Sequence, residues 1–135
     1  MPGSFNSKTL YSEIESFPSF EGNNIKMLRR CKLLVVDYIA SSFGEALIIN
    51  TPTIMIFRLP GYSFPEEAHR VFTALARVGI VQESMEKAVS FINKEFSNIE
   101  KWWQSDEVQK ARLLYLKHDA DVCGRSLVSR LWSLL

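Results

Sequence analysis

The segment richest in chemistry is Asp37-Tyr38-Ile39-Ala40-Ser41-Ser42-Phe43-Gly44-Glu45. A carboxylate closes the β-branched apolar run Lys32-Leu33-Leu34-Val35-Val36, and two adjacent hydroxyls open a stretch of helical pattern. In open α/β sheets, ligands bind beyond the carboxyl ends of the strands, where loops lead into helix N-termini. Free N–H groups and the positive end of the helix dipole favour a phosphate there, and hydroxyls add donors. Asp37, Ser41, Ser42 and Glu45 are therefore the candidate nucleotide- or donor-binding residues. The same residues also have a structural reading. Ser42-x-x-Glu45 has the spacing of a capping box, in which the two side chains satisfy backbone donors at a helix start. That role is compatible with a phosphate at Ser42 but occupies the Glu45 carboxylate. Neither G-x-G-x-x-G nor a Walker lysine motif is present, so this is not a glycine-rich phosphate loop.

Other chemistry-bearing residues are more isolated. Trp102 and Trp103 could stack on a sugar or a base. Adjacent helical positions point about 100° apart, so one ring is expected in the core and the other at an edge. His69 and His118 stand alone, with no legible nucleophile or acid beside them. Glu66-Glu67 suits the first turn of a helix, and Cys31 suits a small apolar packing role. No catalytic residue can be assigned. Cys31 and Cys123 lie far apart, with no CxxC and no Cys/His cluster. That argues against a disulfide framework and a structural zinc site, leaves no metal or cofactor expected, and fits a reducing, cytoplasmic setting.

Composition narrows the function classes further. Sixteen Lys and Arg against fifteen Asp and Glu give a net charge of +1. Nucleic-acid binding by bulk charge needs a strong basic excess, so no nucleic-acid partner is expected. No apolar run approaches the roughly 18 residues of a membrane helix, and the N-terminus lacks the basic and apolar regions of a signal peptide.

The elements that must position these residues follow from periodicity. Residues 1–16 form a polar lead-in with a short helical pattern at Leu10 and Ile14. Phe17-Pro18-Ser19-Phe20 reads as an extended edge piece, because proline removes a ladder donor. Asn23 or Asn24 caps a helix through Ile25, Met27 and Leu28, with Arg29 and Arg30 in its last turn. Continuous apolarity predicts strands buried on both faces at 33–37 and 53–57, central in a parallel sheet and joined by a helix over 42–49 that Asn50 closes. A helix carrying Ala68, Val71, Phe72, Leu75 and Val78 ends at Gly79. Ile80-Val81 is a third short strand. Ser84 opens a helix with Met85, Ala88, Val89, Ile92 and Phe96 inward. A long helix covers Ile99 to about Lys117, and a last one carries Leu127, Val128, Leu131, Trp132 and Leu135. The fold expected is α/β: a three-layer Rossmann-like domain over 17–135, with a short parallel sheet and C-terminal helices.

These residues also carry a resemblance. Leu34 to Leu47, Asn50-Thr51-Pro52-Thr53-Ile54, Val78-Gly79-Ile80-Val81, and Ile99-Glu100-Lys101-Trp102-Trp103-Gln104-Ser105 with Val108-Gln109 and Ala111-Arg112 resemble the C-terminal part of a bacterial transferase family of surface-carbohydrate (lipopolysaccharide or polysaccharide) biosynthesis. The match covers about residues 17–118, and the double tryptophan with Val-Gln-x-Ala-Arg is its most specific part. The family is similar to GT-B glycosyltransferases and more distantly to the glycerophosphotransferases of teichoic-acid synthesis. The resemblance implies half of a GT-B fold. That half would bind a nucleotide-sugar or nucleoside diphosphate donor, with Ser41 and Ser42 at the diphosphate and Glu45 at the ribose. It implies leaving-group charge stabilised without a metal. Three departures stand out. Ser41 replaces the usual threonine. Gly44 replaces a larger apolar residue, weakening the helix by roughly 0.5–1 kcal/mol. The N-terminal half is missing, so the chain is expected to be inactive alone unless that half is supplied in trans. The competing reading is a non-catalytic interaction module or inert fragment. A flavodoxin-like domain fits less well, because no Ser/Thr-rich phosphate loop of that kind follows Asp37.

Overall fold

The computed structural model describes residues 24–123 apart from 39, 40 and 62. The expected lead-in helix, the Phe17–Phe20 strand and the helix beyond Gly124 lie outside these residues. Helix α1, Asn24–Arg30, buries Ile25 and Leu28 and ends on Arg29 and Arg30, where the helix dipole favours cations. Strand β1 follows at Leu34–Val36, helix α2 at Ser41–Ile49, strand β2 at Thr53–Ile56, helix α3 at Glu66–Arg77 and strand β3 at Val81–Gln82. Helix α4 covers Met85–Glu95, α5 Ile99–Trp103 and α6 Asp106–Cys123.

The three strands form one parallel sheet in the order β1-β2-β3. Leu34, Val35 and Val36 face Thr53, Ile54 and Met55, and Met55 and Ile56 face Val81 and Gln82. The parallel pairing agrees with the expectation from continuous apolar runs. The expected positions do not entirely. Among the described residues only β2 is central, with Thr53, Ile54 and Met55 fully buried, whereas β1 is the edge and Val35 is 44% exposed. The reason is coverage. On one face Val36, Met55 and Val81 pack with Phe43 and Leu47 of α2, with Val71, Phe72 and Leu75 of α3, and with Val108, Ala111 and Tyr115 of α6. On the other face α4 packs against β2 and β3, leaving Val35 uncovered. The same shortage of sheet corrects α4 itself: only Ala88 is buried, and Met85, Val89 and Phe96 are 45–57% exposed.

Helices α2 and α3 end in the same way, by two routes. Asn50 has φ 67° and Gly79 has φ 91°. After α2, Asn50 N–H donates to Leu47 C=O and Thr51 N–H to Ala46 C=O; after α3, Gly79 N–H donates to Ala76 C=O and Ile80 N–H to Leu75 C=O. Both are Schellman caps, in which a left-handed residue satisfies the last carbonyls of the helix. Glycine is required at 79, where a Cβ would lie 2.8 Å from the Phe91 ring.

The long helix expected from Ile99 is in fact two. Ser105 Oγ and Ser105 N–H both turn back to Trp102 C=O, at 2.7 and 3.1 Å. Asp106 and Glu107 then open α6, as acidic residues favour a first turn.

Candidate functional site

Parallel strands place every strand-to-helix junction at one edge of the sheet. Here that carboxyl edge carries the ends of β1, β2 and β3 and the starts of α2, α3 and α4. Asp37 is exposed just beyond β1. Ser41 is exposed at the first position of α2, Ser42 is half-buried at the second, and Glu45 is half-buried one turn on. Fully buried Phe43, Ala46 and Leu47 seat this helix, which fixes the direction of its N-terminus. Among the described residues, none of these four candidate side chains makes a hydrogen bond or an ion pair. The capping box is displaced: α2 begins at Ser41, so Ser42 lies inside the first turn, and the position before the helix falls outside the described residues.

The second and third junctions add further groups to this edge. Phe64 stacks on Phe72 with ring centroids 5.0 Å apart and 13° between planes, and meets Phe57 at 5.8 Å. Those contacts pin the loop after β2 and hold Arg58 exposed at the sheet edge. After β3, Ser84 caps α4 by accepting from Lys87 N–H at 3.2 Å. Glu83 pairs with Lys87 Nζ at 2.7 Å. The Lys87 hydrogen bond and charge hold the Glu83 carboxyl below its ordinary range, with a smaller push from Arg58. Arg58, Pro60, Glu83, Ser84 and Lys87 line an open hollow of about 310 Å³. Residue type alone does not mark Arg58 and Lys87. Their signal is position: each follows a strand in the same sense that Ser41 follows β1.

The tryptophans lie at the opposite edge. Trp103 is fully buried, and its Nε1 donates to Asn50 O at 3.1 Å and Asn50 Oδ1 at 2.8 Å. Trp102 Nε1 donates to Val78 O at 2.9 Å, and its ring meets Phe91 edge-on at 5.1 Å. Each indole thus docks on one Schellman cap, at the amino ends of β2 and β3. Helix α2 spans about 12 Å at 1.5 Å per residue, so Trp103 and Ser41 sit at its two ends. One ring lies in the core and one at an edge, as the helical spacing implies, and stacking on a ligand is open only to Trp102. That ring borders a separate hollow with Glu95, Asn98, Lys101 and Ser105. Gln109 Nε2 reaches Asn50 Oδ1 at 3.2 Å and Trp103 O at 2.7 Å. Arg112 donates to Gln109 Oε1 at 2.9 Å and to Leu47 O at 2.6 Å, a cation on the C-terminal carbonyls of α2. Burial lowers the pKa of this guanidinium from its ordinary value. Trp103, Gln109 and Arg112 of the Trp-Trp-x-Ser-x-x-Val-Gln-x-Ala-Arg stretch are therefore a latch between α5–α6 and the end of α2, the helix whose other end faces the candidate site, while Trp102 docks on the end of α3.

Among the described residues no cluster of His, Cys, Asp and Glu could hold a metal ion, and no helix is long and apolar enough to cross a membrane. Compared with known proteins, residues 6–128 match the model of the LIC12162 family transferase. No curated protein and no solved structure matches the chain significantly.

Proposed function

Because the chain belongs to the LIC12162 family of transferases, we propose that it is the donor-nucleotide-binding domain of a glycosyltransferase-like enzyme of surface-polysaccharide synthesis, half of a GT-B arrangement. The observation that supports this reading is the start of α2 beside the end of β1. Among the described residues Ser41 and Ser42 have no side-chain partners, and Asp37 is exposed next to them. A diphosphate would accept from the N–H groups and hydroxyls of this helix start and lie along its dipole. Glu45 would accept from ribose hydroxyls. Arg58 and Lys87, further along the same edge, would steer a polyanion towards it. In transfer, these groups would stabilise negative charge developing on the leaving diphosphate. The acceptor and the general base would come from a companion half, so the chain alone would not turn over a nucleotide sugar.

The test is a ligand titration followed by NMR with uridine, cytidine and guanosine diphosphates and their sugars. Half a cleft should bind with a dissociation constant on the order of 0.1–1 mM. Shifts should centre on Asp37, Ser41, Ser42 and Glu45, and Ser41→Ala should weaken binding severalfold. Shifts centred elsewhere, or binding unchanged in Ser41→Ala, would leave the helix start with a structural role alone. The second reading, a non-catalytic interaction module, is favoured by the exposed apolar residues Val35, Met85, Val89 and Phe96. Failure of every diphosphate to bind would favour it.

A further inference from the structure

Helices α3 and α6 pack together and leave a trough along their outer side. One hollow in it, of about 180 Å³, is bordered by Arg70, Val71, Leu114 and Lys117. The next, of about 460 Å³, is bordered by Ala74, Arg77, Val78, Lys110, Ala111 and Leu114. Leu114 borders both. Early α3 residues thus meet late α6 residues, and late meet early, so the two helices run antiparallel. Helix α3 has 12 residues; at 1.5 Å each, the trough is about 18 Å long, or about three turns.

Its floor and its walls repeat with the helices. Val71, Ala74 and Val78 follow at i, i+3 and i+7, and Ala111 and Leu114 at i and i+3, spacings that keep side chains on one face. Arg70 and Arg77 on one wall, and Lys110 and Lys117 on the other, each repeat at i and i+7. A row of cations therefore borders the apolar floor on both sides. All four are exposed. Among the described residues none of them makes an ion pair or a side-chain hydrogen bond. The carboxylates of the trough, Glu67 and Glu107, stand at its opposite ends, with His118 beside Glu67. The middle is therefore positive without compensation, in a chain whose net charge is only +1. Helix α6 also carries more apolar surface than the core uses. Beyond the core-facing Val108, Ala111 and Tyr115, Leu113 is 56% and Leu114 44% exposed.

We infer that this trough docks an amphipathic helix of a partner protein, with an apolar stripe on the floor and Asp or Glu along both flanks. A third helix fits the groove between two packed ones, with anchors at i, i+3, i+4 and i+7. Ala74 and Ala111 let it approach closely. Acidic flanks meet a cation row on each side, whereas basic flanks are repelled by both, which gives partner choice. Residues 124–135 of this chain have the wrong sign, with Arg125 and Arg130 and no Asp or Glu. The floor lies recessed between the rows, which suits a rod-shaped occupant more than a flat anionic bilayer. This inference is independent of the ligand assigned to the start of α2.

The experiment is fluorescence anisotropy on the full 135-residue chain with two labelled synthetic helical peptides of about 14 residues, or about four turns. Both carry leucines at i, i+3, i+4 and i+7; one has glutamates on its flanks and the other lysines. The glutamate peptide should bind about tenfold tighter or more at low ionic strength, with the gap narrowing in high salt. Amide shifts should centre on Ala74, Val78, Ala111 and Leu114. Arg70→Glu with Lys110→Glu, one exposed change on each wall, should reverse the preference between the peptides while leaving the melting temperature nearly unchanged. Equal binding of the two peptides, no binding of the glutamate peptide, or a preference unaltered by the double variant would overturn the inference. So would NOEs from residues 1–23 to the floor in the free chain, which would assign the trough to this chain's own segment. Intermolecular NOEs between copies would assign it to a dimer instead. Binding of phosphatidylglycerol vesicles in place of the peptide, lost in the double variant, would assign it to a membrane surface.

Discussion

Replacing Asn50 separates the backbone and side-chain contributions of the latch. Its left-handed φ of 67° is tolerated by asparagine but costs an ordinary L residue about 1–2 kcal/mol. Its Oδ1 accepts from Trp103 Nε1 and Gln109 Nε2. Neither donor is orphaned when Oδ1 is lost, because Asn50 O still receives Trp103 at 3.1 Å and Trp103 O still receives Gln109 at 2.7 Å. The side-chain loss is therefore about 1 kcal/mol, without the larger cost of a buried unpaired donor. Asn50→Gly removes Oδ1 and adds freedom to the unfolded chain, for a total of about 1–1.5 kcal/mol. Asn50→Ala removes Oδ1 and adds the left-handed cost, for about 2–3 kcal/mol. Urea unfolding with slopes of about 1–3 kcal/mol per molar should lower the midpoint by roughly 1 M or more for alanine and about half that for glycine. If alanine costs no more than glycine, the Schellman geometry carries no energy. If both cost less than about 0.5 kcal/mol, which is typical of ordinary surface positions, the latch is not holding α2.

Gly79→Ala should destabilise by about 2 kcal/mol or more, because it combines a positive φ with a Cβ 2.8 Å from Phe91; thermal unfolding checks this, and a neutral substitution would contradict the cap. A carboxyl-detected NMR titration should place the Glu83 midpoint below its ordinary 4.5, and Lys87→Met should return it towards that value. The sign follows from the lowered folded-state pKa: the pair's small contribution is present above the ordinary value and is lost as the pH falls through the lowered midpoint. Excess EDTA should leave the melting temperature unchanged, since no described residues form a metal cluster; a drop would reveal a structural ion.

Sequence alone determined the local facts. Apolar runs at 34–36 and 53–56 became parallel strands, Ser84 became a cap, and Asn50 and Gly79 became helix stops, because each depends on side-chain chemistry within a few residues. It also determined that only one of two adjacent indoles could enter the core. The tertiary structure decided what depends on neighbours distant in the chain. Continuous apolarity cannot distinguish a central strand from an edge strand, so the exposure of Val35 emerged only once α4 was seen to cover β2 and β3. Helical periodicity ran through Gln104 and Ser105 unbroken, and only the turn of Ser105 back onto Trp102 C=O divided the helix. The tryptophan motif looked like chemistry because aromatic and amide side chains suit both ligands and backbone caps. Their assignment to Asn50 and Val78, 53 and 24 residues away, required the folded chain, because a hydrogen bond between distant segments leaves no periodicity to read.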